Sequence, residues 1–481
     1  MRDLLTYALD TLSRANVDYA DIRFRETLNE RLYTMNDVLK AFHNSEDSGI
    51  GIRVLRNGRW GFAATPFTDK KNIDKAIKKA IDIAESTSDI DQKPIILTPD
   101  RPQIAKFRTN IDKDPFQVPL SEKLDLLTSI YGETSKVNKI KRTDAMLYFK
   151  KMHQIFLSTE GSDLENEFYI SAGGYQCTAV DNGDFQTRSY QDFPKSAGWE
   201  WILQQPFHKK APQIAEEAVQ KLTAPKGPSG KMDLILLPSH LVLTIHESVG
   251  HPTELDRVLG WEANMAGISF ATTDKLGNFK YGSELVNFVA DNNLEGGLAS
   301  WGFDDDGVPS KRWNIVKDGI LVNYGTTRDT AHYIGQDESM GCSRADSYAS
   351  QPINRIPNLS LMPGKNKLSL DDLIADTEEA IIIDGRGSFS IDQRRYNFQF
   401  GGDFFQKIEN GKIVGPLRDV TYQAITPEFW RSMDAICSRE EWLPHGVLNC
   451  GKGEPMQGMQ MSHGSAPARF RKIDVGGALN G

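Results

Sequence analysis

Thr223-Ala224-Pro225-Lys226-Gly227-Pro228-Ser229-Gly230 divides this 481-residue chain into two parts with different patterns. Two prolines and two glycines in eight residues continue neither a helix nor a central strand, because proline lacks the amide donor and glycine favours turns. Before this stretch, helical and strand periodicities alternate. After it, strand-sized apolar runs stand between glycines and prolines, at residues 233–237, 319–324, 380–384, 396–400 and 404–414. Asn410-Gly411 inside the last run is a hairpin turn signal. The predicted fold class is α+β: N-terminal and central α/β domains, then a larger β-rich C-terminal domain built as an antiparallel sheet or barrel-like body.

Upstream, Leu4, Leu5, Ala8, Leu9 and Leu12 recur at a helical period, and Ala20, Ile22 and Phe24 alternate with charged residues as in a half-buried strand. Residues 49–55 and 59–63 flank Asn57-Gly58, which predicts a hairpin. A helix is expected over 69–86, with Ile73, Ala76, Ile77, Ala80, Ile81 and Ala84 on one face. Residues 89–102, with Pro94, Pro99 and Pro102, read as a linker. A second α/β segment follows, with helices expected near 120–137 and 213–222 and strands near 145–151, 154–158 and 165–172. The expected domains are therefore 1–100, 101–228 and 229–481, with the chemistry in the last.

Composition limits function. Lys+Arg is 56 and Asp+Glu is 65, a net charge of −9, which argues against a nucleic-acid or anionic-membrane partner. The four cysteines, Cys177, Cys342, Cys437 and Cys450, are too few and scattered for a disulfide framework and fit a reducing compartment. The N-terminus has no signal-peptide pattern, and no apolar run approaches the ~20 residues of a membrane span. A cytoplasmic protein is expected.

The chemical signal is His246-Glu247-Ser248-Val249-Gly250-His251, after the strand at 233–237 and a candidate N-cap, Ser239. Two imidazoles and a carboxylate on one buried helix are the parts of a zinc hydrolase: two ligands and a general base. The spacing is unusual. Histidines at i and i+5 diverge by about 140° on a regular helix, since each residue turns about 100°. A π-type widening, or a helix break at Gly250 before Pro252, is needed to bring them together. A third ligand is also required. Candidates are Glu254 and one of the cysteines. Cys450 stands out, in a glycine-flanked turn, Leu448-Asn449-Cys450-Gly451-Lys452-Gly453. Cys177 and Cys437 read as small buried hydrophobes, and Cys342, beside Arg344, is a thiol-nucleophile candidate.

The run from His246 through Pro252-Thr253-Glu254-Leu255-Asp256-Arg257-Val258-Leu259-Gly260 resembles the signature of the TldD/PmbA metalloproteases. It continues through Glu262, Ala266-Gly267 and Ser269-Phe270. Arg344-Ala345-Asp346-Ser347-Tyr348, the stretch 352–358, Glu409-Asn410-Gly411 and Asn449-Cys450-Gly451-Lys452 resemble further blocks of that family. The resemblance implies a cytoplasmic zinc peptidase. Its zinc ligands would be His246, His251 and Cys450, its general base Glu247, and Glu254 and Asp256 would support the site. It also implies a dimer, with a second copy or a paralogous subunit, acting on peptides or unfolded proteins. After Lys452 the run 454–461 departs from the family's glycine- and proline-containing pattern.

Three other readings compete. One is a non-enzymatic regulatory subunit, a gyrase-modulator-like partner binder. Another is a copper site, disfavoured by Glu247 beside the first histidine. The third is a hydrolase of non-peptide amides. His332 and His445 read as hydrogen-bonded structural histidines. His463, in a Ser/Gly/Met-rich stretch, is expected to be mobile. Arg394-Arg395-Tyr396 is a candidate for holding a substrate carboxylate.

Overall fold

The structure, a computed structural model, describes residues 1–87, 93–191, 193–453 and 455–476. Its first half is organised by one sheet. Helix α1 (Arg2–Ser13) leads into β1 (Tyr19–Met35), β2 (Val38–Arg56) and β3 (Arg59–Thr65). Asn57 and Gly58 take φ of 51° and 70°, the left-handed values a tight hairpin turn requires. Helix α2 (Lys70–Ser86) is capped by Asp69, whose carboxylate accepts from the Asn72 amide. Of the expected linker, residues 89–92 lie outside the described residues, and 93–102 carry no regular structure.

The chain then forms β4 (Ile104–Arg108), α3 (Leu120–Thr134), β5 (Ile140–Ser158), β6 (Asp163–Asp181), β7 (Asp184–Tyr190), α4 (Trp199–Gln204) and α5 (Phe207–Thr223). The strand order is β3-β2-β1-β5-β6-β4, with β7 on β6, so segments on both sides of the linker share the sheet. Alternation marks only residues 20–24 as strand, yet β1 runs to Met35. It does so because β5 pairs with it from Asp21 to Met35, a tertiary ladder that overrides weak local propensity. The stretches 145–151 and 154–158 are likewise one strand. Leu5, Ile22, Ile52 and Ile73 form the core under α1 and α2; Leu127, Phe149, Trp199 and Ala215 form the one under α3 and α5.

The second half is built on a mixed nine-stranded sheet, largely antiparallel, with a four-stranded sheet and two two-stranded ones beside it among the described residues. Its centre is β8 (Gly230–Leu236), parallel to Glu379–Asp384 on one side and antiparallel to Ala468–Val475 on the other. The strand Phe389–Ile391 ends the sheet order, and its hydrogen-bonded neighbour is Asn397–Gly401. Helix α6 (Pro238–Ile245) leaves β8 with Pro238 in its first turn and is buried on nearly every side. Leu237, not Ser239, is the N-cap. The Ser239 hydroxyl instead donates to Asp384 and accepts from the Gly385 amide. The molecule is thus α+β with a curled, β-rich C-terminal sheet. Among the described residues, no helix is long and apolar enough to cross a membrane.

Buried charges join the two halves. Asp305 accepts from Arg25 Nη2 at 2.8 Å, Gln154 Nε2 at 2.9 Å and the Ala345 amide at 2.7 Å. Arg53 bridges Asp21 and Asp306, each at 2.7 Å. Burial pushes the Asp305 carboxyl up, but Arg25 and Arg23 outweigh it and hold its pKa at about 2. This is below the ~3.9 of an unfolded aspartate, so its stabilisation is present above pH ~4 and is lost as pH falls through about 2. In urea melts, the stability gap between wild type and Asp305→Asn is expected to narrow as pH is lowered from 7 to 3; a gap independent of pH would contradict the ion-pair account.

Candidate metal centre

The helix carrying the histidines does not stay regular. His246–Gly250 form a π-turn and His251–Thr253 a 3-10 turn, so the i, i+5 pair converges, with ring centroids 4.8 Å apart. The carbonyls released from the α-helical ladder find other donors. Tyr281 Oη donates to Ser248 O, and Thr253 Oγ1 donates to Val249 O at 2.7 Å. Gly250 lies against Ile356, whose Cδ1 would stand 3.0 Å from an added Cβ. Pro252, without an amide hydrogen, stops the helix.

Cys450 lies on the strand Leu443–Lys452, just before the turn, and pairs opposite Met459 on Gln457–Ser465. Arg355 braces this hairpin: Nη2 donates to Cys450 O and Nη1 to Gln457 O at 2.9 Å. The result places one ligand atom each of His246, His251 and Cys450 within 4.8 Å of one another, all buried. Cys450 Sγ is 3.6 Å from His251 Nε2.

The remaining ring nitrogens are already occupied. His251 Nδ1 donates to Glu254 Oε2 at 2.8 Å, which leaves Nε2 as the free lone pair. His463 Nδ1 donates to Leu359 O at 3.1 Å, so its Nε2 accepts from His246 Nδ1 at 2.9 Å. That leaves His246 Nε2 free as well. Burial pushes the pKa values of His246 and His251 down, toward the neutral imidazole a metal requires. Burial raises the Cys450 thiol, but His251 and Arg355 outweigh it and bring its pKa below the ordinary thiol value. Two neutral imidazoles and one ionisable thiol, each held from behind, are a donor set that fits zinc.

Glu254 and Asp256 lie behind the ligands. Lys452 Nζ stands 3.1 Å from Glu254 Oε1, 2.7 Å from Asp256 Oδ1 and 2.6 Å from Asn354 O. Burial raises the Glu254 carboxyl, but Lys452 and His251 hold its pKa well below the ordinary range; burial leaves that of Asp256 raised despite Lys452. Glu247 receives Arg395 Nη1 at 3.0 Å. Arg395 sits at φ 61° in the turn after Phe389–Ile391. That turn is held in place because Ile268 N and Phe270 N donate to Gln393 O and Arg394 O, both at 2.9 Å.

His463 corrects the sequence reading. It is buried, not mobile, near the end of the strand Gln457–Ser465, where it pairs opposite His445. Spacing offers no signal for it, because a single histidine more than two hundred positions from its partner looks like any other. Replacing His463 with alanine is expected to weaken metal binding about 10–100-fold, the usual effect of losing a group that orients a ligand. Competition with a chromophoric chelator reads this directly, and an unchanged affinity would exclude the orienting role. Cys177, Cys342 and Cys437 are buried away from this cluster, with thiol pKa values pushed up by burial.

A mixed α+β chain with a buried His-His-Cys cluster of metal-ligating geometry is the class that fold and site define. Three family profiles cover this chain: PmbA/TldA metallopeptidase domain 1 over residues 20–84, the central domain over 113–224 and the C-terminal domain over 229–477. The chain belongs to the PmbA/TldD metallopeptidase family. A metalloprotease of Methanocaldococcus jannaschii is 29% identical over 437 residues, spanning 90% of this chain and 92% of that one. Among solved structures, a Thermotoga maritima protein proposed to modulate a DNA gyrase has the same fold. Its TM-score is 0.79 at 18% identity, covering 99% of this chain and 100% of that one. TldE of Thermococcus kodakarensis has a TM-score of 0.73 at 15% identity, over 99% and 100% of the two chains.

Proposed function

We propose that this chain is a zinc-dependent peptidase that hydrolyses extended or unfolded peptides with low sequence specificity. The observation that carries the proposal is the convergence of His246, His251 and Cys450 next to Glu247, with each histidine's second nitrogen already hydrogen-bonded. These three residues would hold zinc, which supplies Lewis acidity to a water and to the peptide carbonyl. Glu247 takes the proton from the attacking water and returns it to the leaving amine. Arg395 holds Glu247 in the resting site, and its remaining guanidinium N–H groups are donors for a substrate carbonyl or carboxylate.

Low specificity follows from main-chain recognition. Phe389–Ile391 is an edge strand with exposed residues, and it runs into the turn that carries Arg395. An extended peptide adding to this edge would pair through backbone groups, whatever its side chains. For assembly, we propose a dimer with a second copy or a paralogous subunit; the fold shared with a TldE chain is compatible with two subunit types of one architecture.

Metal analysis of the purified chain, with a digest of an unfolded protein before and after chelation, tests the proposal. One equivalent of zinc and chelation-sensitive cleavage are expected. Zinc-independent cleavage would refute it. Zinc without cleavage, together with capture of a partner protein by both wild type and Glu247→Gln, would favour the non-enzymatic regulatory reading.

A further inference from the structure

The helix that carries the histidines has a polar stripe on its other side. His240, Thr244 and Ser248 recur at every fourth position, and all three are buried. At about 100° per residue, His246 lies about 200° round the helix from Thr244, so stripe and ligands face opposite ways. The side chains that meet the stripe are aromatic members of the main core of the second half: Tyr422 on the strand Thr421–Ile425, Trp430 on the helix Thr426–Arg431, and Tyr281. Polar groups in such a core cost stability unless each one is partnered.

Here each one is. His240 Nδ1 donates to Gly385 O at 2.8 Å; burial lowers its pKa to about 4, so the ring is neutral and Nε2 accepts from Tyr422 Oη at 2.8 Å. With its one hydrogen spent, Tyr422 Oη accepts from Thr244 Oγ1 at 3.1 Å. Ser248 is held three times. Its hydroxyl donates to Thr244 O and accepts from Trp430 Nε1 at 3.0 Å, and its carbonyl accepts from Tyr281 Oη.

Two of these bonds act on the shape of the helix. A serine hydroxyl that bonds the carbonyl four residues back competes with the backbone ladder and bends it, and Ser248 does this inside the π-turn His246–Gly250. The Ser248 carbonyl is also the one whose partner four residues on is Pro252, which has no N–H to give. Tyr281 supplies that donor from outside the helix, so the widened turn leaves no orphaned carbonyl there.

We propose that Ser248, clamped by Trp430 and Tyr281, is a positioning residue that holds the π-turn and thereby brings His246 and His251 onto one metal ion. Thr244 and His240 fix the rotation of the helix below it. An apolar stripe would also pack here, but it would let the helix turn or slide by small steps; directed hydrogen bonds from Tyr422, Trp430 and Tyr281 do not. Ser248 takes no part in the chemistry and acts only through the backbone between the two ligands. The proposal rests on the metal-binding part of the proposed function and not on peptide hydrolysis.

The test is titration of Co²⁺ into the metal-free full-length protein, in wild type, Ser248→Ala, Tyr281→Phe and Tyr175→Phe. The ligand-field bands of bound Co²⁺ report coordination geometry, and competition with a chelator gives affinity. Tyr175→Phe is the control: it deletes a like bond, Tyr175 Oη to Phe207 O at 3.3 Å, in the core of the first half. Ser248→Ala and Tyr281→Phe each remove one oxygen and keep the packing, and either one alone decides the comparison. Each is expected to lower Co²⁺ affinity about 10–100-fold, the range for groups that orient ligands, and to shift the bands. Tyr175→Phe is expected to match wild type in both. Wild-type affinity and bands in Ser248→Ala and Tyr281→Phe, or equal changes in Tyr175→Phe, would overturn the positioning role alone. No Co²⁺ uptake by the wild type would reject the metal reading and this proposal with it.

Discussion

If the chain is the proposed peptidase, Glu247→Gln is expected to lower hydrolysis of an unfolded protein by a factor of the order of 10²–10⁴ while metal content stays at the wild-type level. The factor is that of removing a positioned general base. The substitution is nearly isosteric and touches no member of the His246, His251 and Cys450 set. The amide oxygen of glutamine still accepts from Arg395 Nη1, which is 3.0 Å from the carboxylate in the wild type, so the turn after Phe389–Ile391 keeps its place. The capacity to take a proton is lost, and the ion pair with Arg395 becomes a hydrogen bond to a neutral amide oxygen. Arg395→Met makes the converse case. It leaves the base in position but removes its clamp and the donors beside it, so a smaller loss is expected. Parallel rate and metal measurements on the two variants separate the roles. If Glu247→Gln retains the wild-type rate with zinc bound, the assignment of Glu247 as base is wrong.

How much of this was legible in the sequence depended on distance along the chain. The π-turn at His246–Gly250 could be anticipated, because the i, i+5 spacing, Gly250 and Pro252 are all local. The hairpin turns at Asn57-Gly58 and Asn410-Gly411 were legible for the same reason: a positive φ has a residue signature. What escaped was carried by pairing. β1 beyond residue 24 looks polar, since Glu26, Asn29 and Arg31 become strand through ladders with β2 and β5 on either side. His463 could not be linked to His246, nor Lys452 to Glu254 and Asp256, because each contact spans roughly two hundred residues. Cys450 reads as a turn residue because glycines flank it, yet it lies on a strand whose partner brings His463 into the same cluster. Family resemblance named Cys450, Glu254 and Asp256 as site residues but supplied no contacts for them; tertiary packing supplies these.

Lys452→Met is expected to destabilise the protein by about 3–5 kcal/mol, the cost of leaving buried charges without their partner. The ammonium is the hub of the arrangement behind the ligands. It is 1% exposed, touches Glu254 and Asp256, and donates to Asn354 O at 2.6 Å. Methionine fills much of the same volume, so a packing void contributes little and the loss is electrostatic. Without the cation, Glu254 cannot easily stay ionised, and a protonated Glu254 is a poorer acceptor for His251 Nδ1. Metal affinity is therefore expected to fall together with stability, although Lys452 is not itself in the donor set. A second change discriminates this from simple loss of packing. Adding Asp256→Asn to Lys452→Met removes one of the stranded charges and is expected to recover part of the stability, giving a non-additive cycle. Urea melts of the four proteins measure the coupling. If the two substitutions add, or if Lys452→Met costs less than about 1 kcal/mol, the buried cation is not what holds Glu254 behind His251, and the orientation of that ligand must come from the π-turn backbone alone.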